Sequence, residues 1–354
     1  MPANSAFVAS VPTINVGGED KPELSAQLLE LTVREDTLGL YRCEAEFGNW
    51  GTVDGQIGFR YFDRSLLDFG KAIKVKLGDV VLFEGRVMGL HAVFPEGAPP
   101  KLVVLADDKL QDLRMTRRTR SFADVSDSDV MQTIASDHSL TGDIDVSGPT
   151  HKVLTQVNQS DLAFLRERAH AVDAEVWVEG STLHAKKRGS RDAGTVDLTW
   201  QNQLREFGVT ADLAAQRTAV TVSGWDVSGK EAIKSEATSS AISSELGDDT
   251  SGVSILENIA ARKENLAHPV PVTSSEGQAA ADAFFRMSAR RFVTGRGVAE
   301  ASVNLRVGRR VNLKELGPLF SGKYTVTAVC HRFDSEKGIR TEFDVERPGI
   351  GQAT

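Results

Sequence analysis

Cysteine, long apolar runs, excess positive charge and aromatic residues are all scarce in this 354-residue chain. Its two cysteines, Cys43 and Cys330, lie far apart, which excludes a disulfide framework and any cysteine-based zinc cluster. Both fit small buried apolar positions. No apolar run approaches the roughly 18–20 residues that a membrane-spanning helix needs, so a membrane-spanning segment is not expected. The opening "MPANSAFVASVPTINVGGEDKPE" has no basic stretch followed by an apolar one, so it is not a secretion signal and is expected to form an extended arm. A formal net charge of -8 excludes stable nucleic-acid binding as a main activity, because duplex affinity is built from clustered Lys and Arg. The one dense basic run, "RMTRRTR" at 114–120, is expected to be a solvated connector. What remains is an ordinary globular composition, 40% hydrophobic and 25% charged, with length enough for two or three packing units.

Period-two alternation dominates both ends. Leu29, Leu31 and Val33 alternate with polar neighbours, as do Tyr41, Cys43, Ala45 and Phe47, then Ile73, Val75 and Leu77. Short strands with Gly, Asp and Pro turns between them predict a small antiparallel barrel over 24–108, behind an arm at 1–23. A small α+β domain is expected over 109–193. In it, Ser126 and Asp129 form an approximate capping box, a helix starts near Asp161, and a hairpin turns at Glu179 and Gly180. A second barrel is expected from 194–230 together with 296–348, interrupted by a Ser-rich and helical insertion at 231–295 and followed by a tail at 349–354. Within the insertion, "KSEATSSAISSELGDDTSG" has too little apolar content to order well. Helices are expected to be capped by Ser254 with Glu257 and by Ser275 with Gln278, the second closing on Gly295.

The two strand clusters echo each other. In "FGKAIKVKLGDVVLFEGRV" and "VGRRVNLKELGPLFSGKYTV", Gly70 matches Gly308, Ile73 matches Val311, and Gly85 with Arg86 matches Gly322 with Lys323; His91 lies near His331. The closing strands should bring Val326, Ala328 and Cys330 onto one core face with Phe343 and Val345. The separation of the copies is too large for a solenoid.

"QVNQSDLAFLRERA", "VEGSTLHA" and above all "LGPLFSGKYTVTAVCHRFDSEKGIRTEFDVER" resemble the phage late control D proteins, the baseplate hubs of contractile tails, and the N-terminal hub portion of VgrG spikes. The resemblance covers nearly the whole chain. It implies a mainly β fold with α+β insertions: two similar tube-type antiparallel β-barrels, a small α+β domain and a helical insertion. It also implies a homotrimer whose six pseudo-equivalent barrels adapt a six-fold tail tube to a three-fold spike. The implied partners are the tail tube protein, the central spike and other baseplate proteins, and the implied location is a virion tail baseplate or injection particle assembled in the bacterial cytoplasm. Fused spikes of this family continue past the second barrel. This chain stops at "RPGIGQAT", so the spike is expected to be a separate polypeptide unless the sequence is a truncated piece.

Catalytic patterns are thin. The histidines at 91, 138, 151, 170, 184, 268 and 331 show no metal-ligand spacing, and there is no GxSxG elbow. "HRFD" places His331 and Asp334 at a strand end, where a hydrogen-bonded structural histidine is the expectation; "DVSDSD" lacks the distal Glu of a calcium loop and suits helix capping. No catalytic residue, metal or cofactor is therefore expected. Two alternatives stay open: the hub part of a secretion-system spike, and a peptidoglycan- or glycan-acting module.

Overall fold

The computed structural model describes residues 11–191 and 194–352 and is mainly β, with antiparallel sheets. Two similar β-barrel units run into one 13-stranded sheet. In the first, strands Leu28–Asp36, Arg42–Gly48, Lys101–Asp107, Val80–Val93 and Ala72–Leu77 follow one another side by side. In the second, Leu204–Ala211, Val293–Glu300, Gly338–Arg347, Gly322–Asp334 and Arg310–Lys314 do the same. Each unit wraps its own core: Val33, Cys43, Phe47, Ile73, Val75 and Val104 in the first, Val311, Tyr324, Val326, Val329, Phe343 and Val345 in the second. Each fully buried Val, Ile or Phe contributes about 1.5–3 kcal/mol, so burial in these cores is a large stabilising contribution to each barrel unit.

Alternation fails at identifiable places. A bulge between Val326 and Ala328 turns the rest of that strand over, so the inward residues are Val326, Val329, His331 and Phe333, while Ala328 and Cys330 face the other way. A bulge between Leu28 and Glu30 likewise puts Leu28, Leu31 and Val33 inside and leaves Leu29 only half-buried.

Several sequence expectations need correction. The first ten residues of the expected arm lie outside the described residues. Beyond them, Thr13–Val16 is a strand antiparallel to Ala72–Leu77, because Ile14 and Val16 complete the first core. Strand Ala219–Asp226, expected in the second barrel, instead pairs with Glu231–Thr238 and Lys263–Leu266. Its Val220 and Val222 pack against Phe285 of helix Ser274–Arg290, which leaves the barrel sheet without it. The Ser-rich stretch is ordered as strand Glu231–Thr238 and a 3-10 turn, Ser239–Glu245, because Ile233, Ala237 and Ile242 reach buried sites.

Helix caps moved as well. Ser251 rather than Ser254 caps the short helix Gly252–Glu257, and Thr273 rather than Ser275 caps Ser274–Arg290; each hydroxyl accepts from the backbone N–H three residues on. Gly295 closes no helix. It lies inside strand Val293–Glu300, where a Cβ would stand 2.5 Å from the Phe207 ring.

The middle unit stacks helices Asp127–Asp137 and Asp161–Ala171 on strands Thr141–Asp145, Ala174–Glu179 and Thr182–Lys187. Ser126 and Asp129 form the capping box. The basic run is no connector: Arg117–Ser126 is a strand paired with Thr150–Ser160, and Arg118 and Arg120 reach the buried Asp161 carboxylate at 3.2 and 3.0 Å. The two arginines present one charged edge to two acidic groups, since Arg120 also reaches Asp137 at 2.6 Å. Among the described residues, no helix is long and apolar enough to cross a membrane.

Candidate functional site

The two barrels repeat at the level of single hydrogen bonds. Gly70 and Gly308 adopt φ of 77° and 81°, a region glycine enters without steric cost. The Gly70 amide donates to Val87 O at 2.8 Å and the Gly308 amide to Val326 O at 3.0 Å. Val87 N and Val326 N return the bond to Lys71 O and Arg309 O, both at 2.9 Å. Val87 faces Ala106 and Val326 faces Val345, and a bulge follows each of the two. The bulge after Leu28 has its counterpart after Leu204.

This register redraws part of the sequence alignment. Ile73 and Val311 are equivalent, yet Ile73 faces Gly85 whereas Val311 faces Tyr324. Gly85 therefore corresponds to Tyr324, and Gly322 corresponds to Phe83. The shared Leu-Phe-x-Gly string therefore sits two residues out of register between the copies and does not align the two glycines. Among the residues singled out, Val311, Val326, Phe343 and Val345 meet in one core and Ile73 lies in the other. Gly85 leaves space where a Cβ would stand 2.3 Å from Asp107 O, and Gly322 sits at φ 129° beside Arg347. His91 corresponds to Cys330 rather than His331 and is exposed.

The barrels join where the far half of Gly322–Asp334 pairs antiparallel with Leu28–Asp36, running from Ala328 opposite Asp36 to Asp334 opposite Glu30. Three charged ties brace this junction. Glu35, 3% exposed on an inward position, pairs with Arg306 and accepts from Val307 N at 3.3 Å, while Arg306 also donates to Val81 O at 3.1 Å. Arg191 donates to Glu175 at 2.8 Å and to Tyr41 Oη at 2.6 Å, stacks 4.0 Å over Trp177, and lies against Gly308. Arg188 pairs with Glu346. A polar cavity of about 580 Å³, lined by Glu35, Tyr41, Trp177, Arg191 and Arg306, remains between the three units. These bracing residues had no sequence signal, since each is a lone charged side chain whose partner is distant in the chain.

His331 lies within the junction, opposite Val33, 1% exposed, with Nδ1 3.0 Å from Thr341 Oγ1. Burial, and then the positive Arg306, hold its pKa down to about 3, so it stays neutral. Asp334, its partner in the "HRFD" motif, instead accepts from the Glu336 and Lys337 amides in the following turn.

The insertion is clamped to the α+β domain by two further networks. Arg290 donates to Asp173 at 2.7 Å and to Glu245 at 2.7 Å. His151 lies between Glu276 at 2.8 Å and Asp127 at 3.1 Å, with Arg168 2.6 Å from Asp127. Both His151 ring nitrogens are engaged with carboxylates, which suits a fastening role. Among the described residues, no group of His, Cys, Asp and Glu is arranged to hold a metal ion.

The chain is similar over almost its whole length to solved tail proteins. The prophage MuSo2 43 kDa tail protein from Shewanella oneidensis matches with a TM-score of 0.70 and 13% identity, covering 95% of this chain and 98% of that one. The tail protein from Neisseria meningitidis matches with a TM-score of 0.66 and 12% identity, covering 96% and 97%. A component of the type VI secretion system from Escherichia coli, described as structurally similar to bacteriophage T4 tail proteins, matches with a TM-score of 0.59 and 11% identity, covering 96% and 79%. At these identities the likeness establishes a tail-protein fold. No curated protein matches the sequence. A family model described as the Alg8 N-terminal domain matches residues 49–335, and the chain belongs to that family.

Proposed function

We propose that this chain is the hub of a contractile phage tail or related injection system, of the late control D type: a homotrimeric ring, without catalytic activity, whose six barrels adapt a six-fold tail tube to a three-fold spike. The observation that carries the reading is the duplication itself. Two barrels with the same strand order, the same glycine turn and the same two bulges lie side by side in one sheet. A chain holding two equivalent copies of one unit can offer six similar contacts from three subunits, which a single-barrel chain cannot. The tail and secretion-system proteins that share the fold support the setting, a virion tail baseplate or injection particle. Its partners are the tail tube protein, a central spike and other baseplate proteins. Light scattering on the purified chain, alone and with a spike partner, tests the reading. Three copies per particle are expected; a stable monomer or dimer in both conditions overturns it.

A further inference from the structure

Two strand edges are open, one for each side of the contact that joins the barrels. Val80–Val93 pairs with Ala72–Leu77 only as far as Arg86; beyond that, the same edge has no strand partner among the described residues. Leu204–Ala211 pairs with Val293–Glu300 on one side; its other side carries an isolated bridge from Trp200 at Leu204, and no strand covers residues 206–211 there among the described residues. By register, Val80–Val93 corresponds to Gly322–Asp334, and Leu204–Ala211 corresponds to Leu28–Asp36. These last two are the strands that join the barrels within the chain. The fold thus uses one half-contact of each kind internally and leaves its counterpart exposed.

Resting on the hub reading, we propose that the open edge at 89–94 of one copy pairs antiparallel with the open edge at 206–212 of the next, repeating the internal junction between chains. Transferring the internal register places Leu90 opposite Ala211, Ala92 opposite Val209 and Phe94 opposite Phe207 on the inward face, with His91 opposite Thr210 on the outward face. The inward pairs are apolar on apolar, and Phe94, 63% exposed in the single chain, gains a cover. A slip by one residue would set these side chains against the opposite face of the partner strand. The segment Gly89–Phe94 carries no charged residue and no proline, the usual guards of an edge that must stay unpaired. A contact between different surfaces of identical copies is heterologous, so it builds a closed ring when the rotation closes.

The test is a pair of cysteines at exposed outward positions, His91→Cys with Thr210→Cys in a chain carrying Cys330→Ala. Mild oxidation is expected to link copies into a ladder that ends at the size of the assembled particle, with no link from either substitution alone or from Val93→Cys with Thr210→Cys. Hydrogen exchange reads the unsubstituted protein: in the particle, edge-facing amides within 89–93 and 206–211 are expected to exchange slowly. A particle of several copies with no in-register link and fast exchange at both edges overturns the pairing alone. A protein that scatters as a monomer overturns the oligomeric reading with it.

Discussion

The two barrels share a backbone and differ in what fills it. The first core pairs Ala45 with Val104 and has Phe47 further along the strand; the second has Gly297 with Phe343 at the equivalent pair, and Ala299 where Phe47 would be. The large ring sits on one strand in the first copy and on the facing strand in the second, so side-chain identities change beneath one backbone register. Cores tolerate such exchange when shape and patterning are preserved. The difference teaches that register, bulges and the glycine turn define this unit, and that side-chain identity is free to drift beneath them. The edge strands differ more. Thr13–Val16 runs antiparallel to its neighbour Ala72–Leu77, whereas Thr195–Thr199 runs parallel to Arg310–Lys314. The five central strands are the repeating unit, and the sixth is recruited separately by each copy.

Removing the large member of the second core should have the greatest effect. Phe343→Ala deletes a ring that is 1% exposed and should cost about 3–5 kcal/mol, measured by denaturant unfolding. Val104→Ala, its counterpart in the first barrel, should cost clearly less. Equal losses would show that the two cores do not differ as described.

Gly297→Ala comes next, because a Cβ there stands 2.5 Å from the Phe343 ring; overpacking should cost about 1–3 kcal/mol. Adding Phe343→Val recreates the Ala–Val pair of the first barrel. The double substitution should therefore lose less than the sum of the two singles, and strict additivity would contradict the exchange.

Acid separates the barrels again, since the position equivalent to His331 is Ala92 in the first. Unfolded, His331 binds a proton below its ordinary value of 6.5, whereas folded it stays neutral down to about 3. The unfolded state then binds more protons, so stability falls as pH drops through that window, by up to about 1.4 kcal/mol per pH unit. Burial alone would push His151 the same way, but the Asp127 and Glu276 carboxylates raise its pKa, and its effect on stability has the opposite sign. The comparison is therefore His331→Leu against the parent chain, so that the shared His151 contribution cancels. The variant should lose stability less steeply between pH 6 and pH 4, and parallel curves would contradict the neutral buried histidine.

The smallest effect is expected from Glu342→Ala. Glu342 faces away from the core and pairs with Arg296 at 3.0 Å and Arg332 at 3.5 Å on a solvent-facing surface. The loss should be within about 1 kcal/mol by thermal unfolding. A large loss in the assembled particle only would place this face in a subunit contact.

Much of this architecture is legible in the residues. Cys43, Ala45 and Phe47 alternate through the strand Arg42–Gly48, and with Tyr41 just before it all are buried. Leu29, Ala328 and Cys330 were misassigned because a bulge adds one residue and inverts the faces, and a bulge here has no compositional mark. Strand Ala219–Asp226 looks like any barrel strand; only its contact with Phe285, far along the chain, moves it to the insertion. The charged braces Glu35–Arg306, Arg191–Glu175 and Arg290–Asp173 are invisible for the same reason, since pairing across distant segments leaves no local pattern.

The proposed ring of equivalent barrels is tested most directly by imaging purified assemblies down their axis in the electron microscope. The account predicts a ring with three-fold symmetry and six lobes of similar size around a central channel, two from each chain. Three lobes, or an open filament in place of a ring, would contradict it.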